Sequence, residues 1–302
     1  MHDLIGFPAP AKLNLMLRVT GRRADGYHLL QTVFRFIDYG DTVRLRVRRD
    51  GVIARARPLP GVAEADDLTV RAARALQAVT STPLGADILI EKRLPVGGGL
   101  GGGSSDAATT LLALNHLWGT GLSRKRLQDL ALPLGADVPV FIYGQTALAG
   151  GVGEILTPLP VAPAWYLVLV PPVAVATAGI FQHPELKRDS EPIKIQGFSV
   201  PAGNDLEPLV CRLYPEVAGY LAWLRSVGVA QMTGSGACVF AAFADESGAR
   251  QALAACPSEL AGAGTGGAGT GGARTGGART RGFVARGLDQ HPLHGLAELI
   301  ED

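Results

Sequence analysis

Apolar and polar residues alternate along several short segments of this chain. Residues 11–19 carry alanine, leucine or valine at every second position, which predicts a half-buried strand with Lys12 and Asn14 side by side on one face. Alternating or wholly apolar runs predict further strands at residues 33–37, 42–48, 86–91, 165–170, 236–243 and 283–288. Arginine at alternate positions of the 42–48 strand indicates a solvent-facing side of a sheet.

Apolar residues at helical spacing lie between these strands. They predict helices at residues 67–79, 105–118, 123–132, 206–227 and 246–255. Ser123 is a favourable N-cap for the third helix, and Pro215 is expected to split the fourth into two. Because several strands follow one another in hairpin fashion, the pattern favours an α+β sandwich over a doubly wound parallel sheet.

Residues 261–282 consist almost entirely of glycine, alanine, threonine and arginine in a short imperfect repeat. Such a segment buries too little surface to offset the entropy lost on ordering it, so we interpret it as a flexible surface insertion. Its arginines can contact phosphates or a nucleic acid, although a tolerated insertion is the simpler interpretation.

Composition limits the classes of function. The chain has 302 residues, and 28 basic against 27 acidic side chains give a net charge of +1, which offers no bulk attraction for nucleic acid or an anionic membrane. No apolar run predicts a transmembrane helix or a signal peptide. Three cysteines without metal-ligand spacing fit a reducing, cytoplasmic setting. The six histidines form no metal-binding pattern, and we interpret His291 and His294 as surface residues.

The strongest chemical signal is the segment PVGGGLGGGSSD at residues 95–106, between a predicted strand and a predicted helix. Its glycines present backbone N–H groups without obstruction by Cβ atoms, and the following helix adds its positive N-terminal end. Together these features predict a cradle for a polyphosphate. Ser104 and Ser105 can cap the helix, bind a phosphate oxygen or reach a nucleotide-bound Mg²⁺.

This glycine loop departs from three common nucleotide-binding motifs. It is not a Walker A loop, because no Gly-Lys-Ser/Thr follows. Its match to a dinucleotide fingerprint is weak in so glycine-rich a run, and no strand-ending carboxylate follows about 20 residues later. The His-Arg-Asp and Asp-Phe-Gly motifs of protein kinases are also missing from the sequence.

Three blocks of sequence carry a family resemblance: PAKLNL at 10–15, LPVGGGLGGGSSD at 94–106 and MTGSGACVF at 232–240. In order and spacing they resemble the GHMP kinase superfamily, named after galactokinase, homoserine kinase, mevalonate kinase and phosphomevalonate kinase. The segments RRADGYH at 22–28, GADVPVF at 135–141 and GVGE at 151–154 are most similar to its members that act in non-mevalonate isoprenoid biosynthesis. Those members phosphorylate a hydroxyl of a cytidine-diphosphate-linked methylerythritol.

The resemblance implies an α+β, two-lobed GHMP kinase fold. The expected parts are a ribosomal-protein-S5-like N-terminal lobe, an α/β-sandwich C-terminal lobe and an active site in the cleft between them. An ATP-binding domain is expected at residues 1–160 and a C-terminal domain, with the 261–282 insertion, at 161–302. The resemblance also implies ATP and Mg²⁺ as cofactors, small molecules as partners without nucleic acid or membrane, and a monomer or homodimer.

The resemblance assigns roles to individual residues. Asp137 would be the general base and Lys12 would stabilise charge, although from the residues alone Asp137 also fits a helix N-cap and Lys12 a surface side chain. Asn14 would bind the erythritol part, and Tyr27 and His28 the cytosine. The predicted substrate-binding residues are Asn14, Tyr27, His28 and Lys92. The predicted ATP-binding residues are Pro95, Val96, Gly97, Gly98, Gly99, Leu100, Gly101, Gly102, Gly103, Ser104 and Ser105, with Ser105 also expected to contact the nucleotide's Mg²⁺.

Three alternatives stay open at this point. The chain can be a GHMP kinase for another small molecule, such as mevalonate, homoserine or a sugar, which the DGYH stretch at 25–28 and Asp137 disfavour. It can be a catalytically silent sensor, which the presence of both Lys12 and Asp137 disfavours. It can be a nucleic-acid-binding module, which the net charge of +1 disfavours.

Overall fold

The computed structural model describes residues 4–59, 61–195, 198, 202–257, 260 and 282–297. Within these ranges the strands are β1 (Ile5–Arg22), β2 (His28–Arg48), β3 (Ile53–Arg55), β4 (Gly85–Glu91), β5 (Ala147–Gly150), β6 (Ile155–Pro158), β7 (Trp165–Leu169), β8 (Ala230–Met232), β9 (Val239–Phe243) and β10 (Gly282–Leu288). The helices are α1 (Leu68–Thr80), α2 (Gly102–Leu117), α3 (Arg124–Ala131), α4 (Val138–Tyr143), α5 (Thr177–Gln182), α6 (Glu207–Leu213), α7 (Pro215–Val227) and α8 (Glu246–Ala254). Mixed helices and mainly antiparallel strands confirm the predicted α+β class.

The sheet is assembled on β2. One edge of this strand pairs antiparallel with β1, from Ile5 opposite Leu45 to Arg22 opposite His28. The other edge pairs in turn with β5, β10 and β4. A strand of 21 residues is long enough to receive these partners one after another, so segments far apart in the chain meet along it.

Strand β10 joins the N-terminal and C-terminal parts of the sheet. Residues 282–286 pair with β7, and the last two residues of β10 pair with β2. β7 also pairs with β9, which pairs with β8, so the main path runs β3-β4-β2-β10-β7-β9-β8. The domain boundary between residues 160 and 161 stays a prediction.

Two apolar clusters hold the helices against the sheet. In one, buried side chains of α1, α2 and α4 pack with those of β2 and β4. In the other, α6 and α7 pack against β7, β8 and β9. Side-chain caps start three of the helices: Asp67 for α1, Ser123 for α3 as predicted, and Asp245 for α8.

Several element boundaries differ from the predicted ones. The two strands expected at 33–37 and 42–48 are parts of the single strand β2. The helix after the glycine loop starts at Gly102 and not at residue 105. The strand expected at 236–243 starts at Val239, because Gly234 and Gly236 have positive φ angles of 54° and 86° and form a turn. The split at Pro215 is confirmed.

The interpretation of His291 and His294 as surface residues is wrong. Both side chains are buried, and the His291 ring packs edge-on against Phe36 and Phe141. Burial lowers the pKa of His291 to about 3, and the positive charges of His294 and Arg124 act in the same direction. The spacing of the two histidines gave no information about their exposure.

The arginines of β2 lie on a partly exposed face, as the alternation indicated. Arg46 and Arg48 both pair with Asp87, and Arg44 pairs with Glu91. The predicted insertion at 261–282 lies outside the described residues, apart from Gly282 at the start of β10. In the described part of the chain, no helix has the length and apolarity needed to cross a membrane.

Substitution of Gly40 tests how closely β1 packs on β2. It lies opposite Pro10, where the strand register shifts, and a Cβ atom there would lie 2.1 Å from the carbonyl oxygen of Ala9. We therefore expect Gly40→Ala to lower the free energy of unfolding by about 2–3 kcal/mol, since one strand must move away. The midpoint of urea unfolding measures this change.

Gly219→Ala is the matched control. Gly219 is exposed within α7, and a Cβ atom there would contact nothing within 4 Å. Alanine at this position is expected to raise stability by about 0.5–1 kcal/mol, because it is the better helix former. Equal midpoints for the two variants would contradict the proposed close contact at Gly40.

Candidate active site

A cavity of about 1050 Å³ lies beside the glycine loop. Its walls come from β1, β2, the loop and the start of α2 on one side, and from α5 and the turn after β8 on the other. A cavity of this size can hold a ligand as large as a nucleotide. Every predicted site residue lines it except Ser105.

The glycine loop is held by a second glycine turn, residues 233–236. The N–H of Ala237 donates to the Gly97 carbonyl and that of Cys238 to the Gly98 carbonyl, both at 3.2 Å. A Cβ atom at Gly99 would lie 2.2 Å from the Thr233 carbonyl oxygen. Because Gly99 also has a positive φ of 73°, no other residue fits here without moving the loop.

The two serines after the loop point in different directions. Ser104 is half-buried and lines the cavity. Ser105 is buried, and its hydroxyl donates to the Pro10 carbonyl at 2.7 Å, which ties α2 to β1. The predicted contact of Ser105 with Mg²⁺ stays untested, and this geometry favours Ser104 as the hydroxyl nearer a bound phosphate.

Lys12 and Asp137 form an ion pair in the cavity. The Lys12 ammonium lies 3.2 Å from the Asp137 carboxylate, and the exposed fraction of the side chain is 3% for Lys12 and 37% for Asp137. Asp137 stands just before α4, but its side chain makes no capping hydrogen bond, so the N-cap alternative is not what the structure shows. Nor is Lys12 a surface side chain.

The glycine loop fixes the position of Lys12 directly, and the turn at residues 233–236 does so through Asn14. Its ammonium donates to Asn14 Oδ1 at 2.5 Å and to the Gly99 carbonyl at 3.0 Å. Asn14 is fixed in turn, because its side-chain amide donates to the Thr32 hydroxyl at 2.9 Å and its backbone N–H to the Thr233 hydroxyl at 3.0 Å. The strand therefore presents the lysine with little freedom to move.

Tyr27 and His28 follow a tight turn and line the cavity. The backbone N–H of Tyr27 donates to Asp25, and the residue is 61% exposed. His28 is buried against Phe181, with ring centroids 5.1 Å apart, and its Nε2 accepts a hydrogen bond from Arg188. Burial lowers the pKa of His28, and the charges of Arg188 and Arg22 lower it further.

Lys92 directly follows β4, and its ammonium lies beside the start of α2 between two carboxylates. Its ammonium donates to Asp41 at 2.5 Å and to Asp106 at 2.9 Å. Burial acts to lower the pKa of Lys92, but these two negative charges outweigh it and raise the pKa. Burial raises the pKa of Asp106 to about 7, and nearby Asp41 adds to the rise against the opposing charge of Lys92.

Several site residues were missed in the sequence. Phe181 lines the cavity from α5, and Arg188 fixes His28 from the segment that follows. Asp41 and Asp106 were not singled out, although Asp106 ends the glycine-rich segment. No spacing rule links these residues to their partners, because the fold decides which of them meet; Arg188 and His28, for example, are 160 positions apart. Among the described residues, no group of three or more His, Cys, Asp or Glu side chains is placed to hold a metal ion.

Known proteins match this chain in sequence. Residues 67–145 match the family model described as GHMP kinases N terminal domain, and residues 194–263 match GHMP kinases C terminal. A 4-diphosphocytidyl-2-C-methyl-D-erythritol kinase from Nitrosospira multiformis is 57% identical over 96% of this chain and 94% of the relative. The protein of the same name from Thiobacillus denitrificans is 58% identical over 95% and 97%.

Solved structures agree with these matches. A crystal structure of 4-(cytidine 5'-diphospho)-2C-methyl-D-erythritol kinase superposes with a TM-score of 0.73 at 34% identity, covering 94% of this chain and 99% of the other. Homoserine kinase from Cytophaga hutchinsonii, at 18% identity and a TM-score of 0.62, shares the fold over 84% of this chain and 89% of its own. The family models and the crystal structure at 34% identity confirm the expected GHMP kinase architecture. Because relatives of such high identity match over nearly their whole length, the chain belongs to the 4-diphosphocytidyl-2-C-methyl-D-erythritol kinase family of GHMP kinases.

Proposed function

We propose that the protein transfers the γ-phosphoryl group of ATP to a hydroxyl of 4-(cytidine 5'-diphospho)-2-C-methyl-D-erythritol, in non-mevalonate isoprenoid biosynthesis. The observation that carries this proposal is the ion pair of Lys12 and Asp137 in the cavity lined by the glycine loop. A phosphate cradle beside a paired base and ammonium is what phosphoryl transfer to an alcohol requires. The relatives carry the name of this activity.

Asp137 and Lys12 share the chemical step. As the substrate oxygen bonds to the γ-phosphorus and the bond to the β-phosphate oxygen breaks, Asp137 accepts the hydroxyl proton and ADP leaves. A carboxylate takes this proton late, when charge has moved onto the phosphoryl group. The Lys12 ammonium, fixed by Asn14 and Gly99, stabilises the negative charge on the attacking oxygen.

ATP is placed with its phosphates on the glycine loop. The free N–H groups and the N-terminus of α2 supply donors and positive potential there. Ser104 and Asp137 both line the cavity and would offer oxygen ligands, the type that Mg²⁺ prefers. When bound, Mg²⁺ neutralises part of the charge on the phosphates.

The remaining residues bind the substrates. Tyr27 and Phe181 offer aromatic faces to the cytosine, and His28 offers a ring nitrogen to its edge. Asn14 lies beside Lys12 and faces the erythritol part. Lys92, held by two carboxylates against the start of α2, contributes positive charge near the phosphates or adenine.

The proposal extends to the cellular compartment and the partners of the protein. All three cysteines are free, which fits a reducing compartment, so we place the protein in the cytoplasm with small molecules as its partners. A kinase for another small molecule is less well supported, since His28 and its neighbours would have no base to bind. A silent sensor is disfavoured because both members of the Lys12–Asp137 pair are present. A monomer or homodimer stays a prediction.

Release of ADP from Mg·ATP tests the reaction. We expect turnover with 4-(cytidine 5'-diphospho)-2-C-methyl-D-erythritol and none with mevalonate, homoserine or galactose. Turnover with one of these three instead would keep the phosphate cradle and overturn the proposed substrate. Folded protein that binds ATP but phosphorylates none of the four would support the sensor alternative.

Asp137→Asn tests the proposed base. The amide keeps the shape of the side chain but accepts no proton, so we expect turnover to fall by about 100-fold or more while ATP binding is kept. Asp129→Asn is the matched control, because Asp129 pairs with Lys125 on the surface of α3. Near-normal turnover by Asp137→Asn would remove Asp137 from the mechanism.

Asp106→Asn tests the charge balance around Lys92. A carboxyl group whose pKa is near 7 in the folded protein and 3.8 otherwise binds more protons when folded, so its contribution to stability falls as pH rises from about 4 to about 7. Asp106→Asn lacks this loss. Its stability relative to the natural protein should therefore grow across that range, by at least about 1 kcal/mol at pH 8.

Chemical unfolding of the two proteins at about pH 5 and about pH 8 measures this difference. Asp129→Asn, which changes an exposed carboxylate, should show no comparable dependence on pH. The prediction would be contradicted if the stability of Asp106→Asn, relative to the natural protein, were lower at pH 8 than at pH 5. The charged Asp106 carboxylate would then lie beside Lys92 without destabilising the folded protein.

A further inference from the structure

Arg188 makes an unusually complete set of contacts beside the base-binding end of the cavity. Its Nε donates to Nε2 of His28 at 3.0 Å. Its two terminal nitrogens donate to the backbone carbonyls of Leu186, Phe181 and His183 at 2.7–2.9 Å. The guanidinium is therefore fixed by the turn that follows α5, and it cannot rotate away from the imidazole without losing these bonds.

The contact determines which nitrogen of His28 carries a proton. A guanidinium only donates hydrogen bonds, so Nε2 of His28 must be the acceptor and must be unprotonated. In a neutral imidazole the proton then lies on Nδ1. Two positive side chains, Arg188 and Arg22, act together with burial to lower the pKa of His28, which keeps the ring neutral.

The Nδ1–H group is free to meet a ligand. His28 lines the cavity, and its imidazole makes no second hydrogen bond to any residue that the structure describes. The ring also packs against Phe181, whose carbonyl Arg188 holds, so the aromatic face and the donor are positioned by one guanidinium.

We propose that Arg188 is a positioning residue that fixes His28 as an Nδ1–H donor and thereby selects cytosine over uracil. This proposal rests on the proposed function. Ring nitrogen N3 of cytosine is an acceptor, whereas N3 of uracil carries a hydrogen and would meet the Nδ1–H group donor to donor. A His28 ring free to exchange its proton between the two nitrogens would lose this discrimination.

The first test is the tautomer of His28 in the natural protein, read from the ¹⁵N NMR signals of the imidazole near neutral pH. The chain has six histidines, so the spectrum of His28→Asn assigns the signals. We expect a neutral ring with its proton on Nδ1. A proton on Nε2, or a charged ring, would overturn the proposal without any change to Arg188.

The second test compares kcat/KM for the cytidine-diphosphate-linked substrate and its uridine counterpart. The natural protein should prefer cytidine by about 10- to 100-fold, the cost of one mismatched base contact. Arg188→Met should lower this ratio about tenfold and give a mixture of His28 tautomers. Lys187→Met, which removes an exposed positive charge next to it in the chain, should change neither.

Arg188→Lys separates positioning from a purely structural role. Lysine can restore one donor to Nε2 but not the three bonds to the backbone, so it should recover the tautomer and the cytidine preference even if the turn loosens. An equal loss of kcat/KM for both substrates in Arg188→Met, with the tautomer unchanged, would make Arg188 merely structural. Absence of turnover with either substrate in the natural protein would contradict the proposed function instead, and the NMR result would still decide the tautomer.

Discussion

Two glycine turns meet backbone to backbone at the centre of this molecule, and the geometry of the site depends on that contact. Gly99 approaches the Thr233 carbonyl so closely that a Cβ atom would lie 2.2 Å from it, and hydrogen bonds from Ala237 and Cys238 join the same two segments. The contact fixes the Gly99 carbonyl, which in turn accepts from Lys12. A loop that would be flexible alone thereby becomes a rigid platform.

The site also gathers charges that are costly to bury. Lys12 is almost inaccessible to solvent, and Lys92 lies between Asp41 and Asp106 with more negative than positive charge around it. Burial of ion pairs contributes little to stability and can reduce it. The raised pKa of Asp106 reflects this cost directly. Lys12 and Lys92 are held in place by their hydrogen-bond partners, so neither would need to rearrange on binding the nucleotide that we propose for this site.

The predictability of these features depends on how local their causes are. The strand bearing Lys12, the glycine loop and the cap at Ser123 follow from residues next to one another, and the structure contains them. The choice between Ser104 and Ser105 could not be made, because it depends on α2 starting at Gly102, which sets the rotation of each side chain about the helix axis. The burial of His291 was missed because its packing partners lie on β2 and α4, far away in the chain.

The contacts of Asp41 and Arg188 show the same limit at the functional site. Asp41 meets Lys92 because β2 and β4 lie side by side in the sheet, and Arg188 meets His28 across 160 positions of the chain. The glycine loop meets the turn at residues 233–236 through backbone atoms, whereas the proposed base-binding end is built from side chains at the start of β2 and on the segment after β7. A homoserine kinase at 18% identity shares the fold, and a fold alone does not determine which substrate a protein binds. Under the proposed function, substrate choice would depend on a few residues such as His28 and Arg188, and phosphoryl transfer on the Lys12–Asp137 pair beside the packed glycine turns.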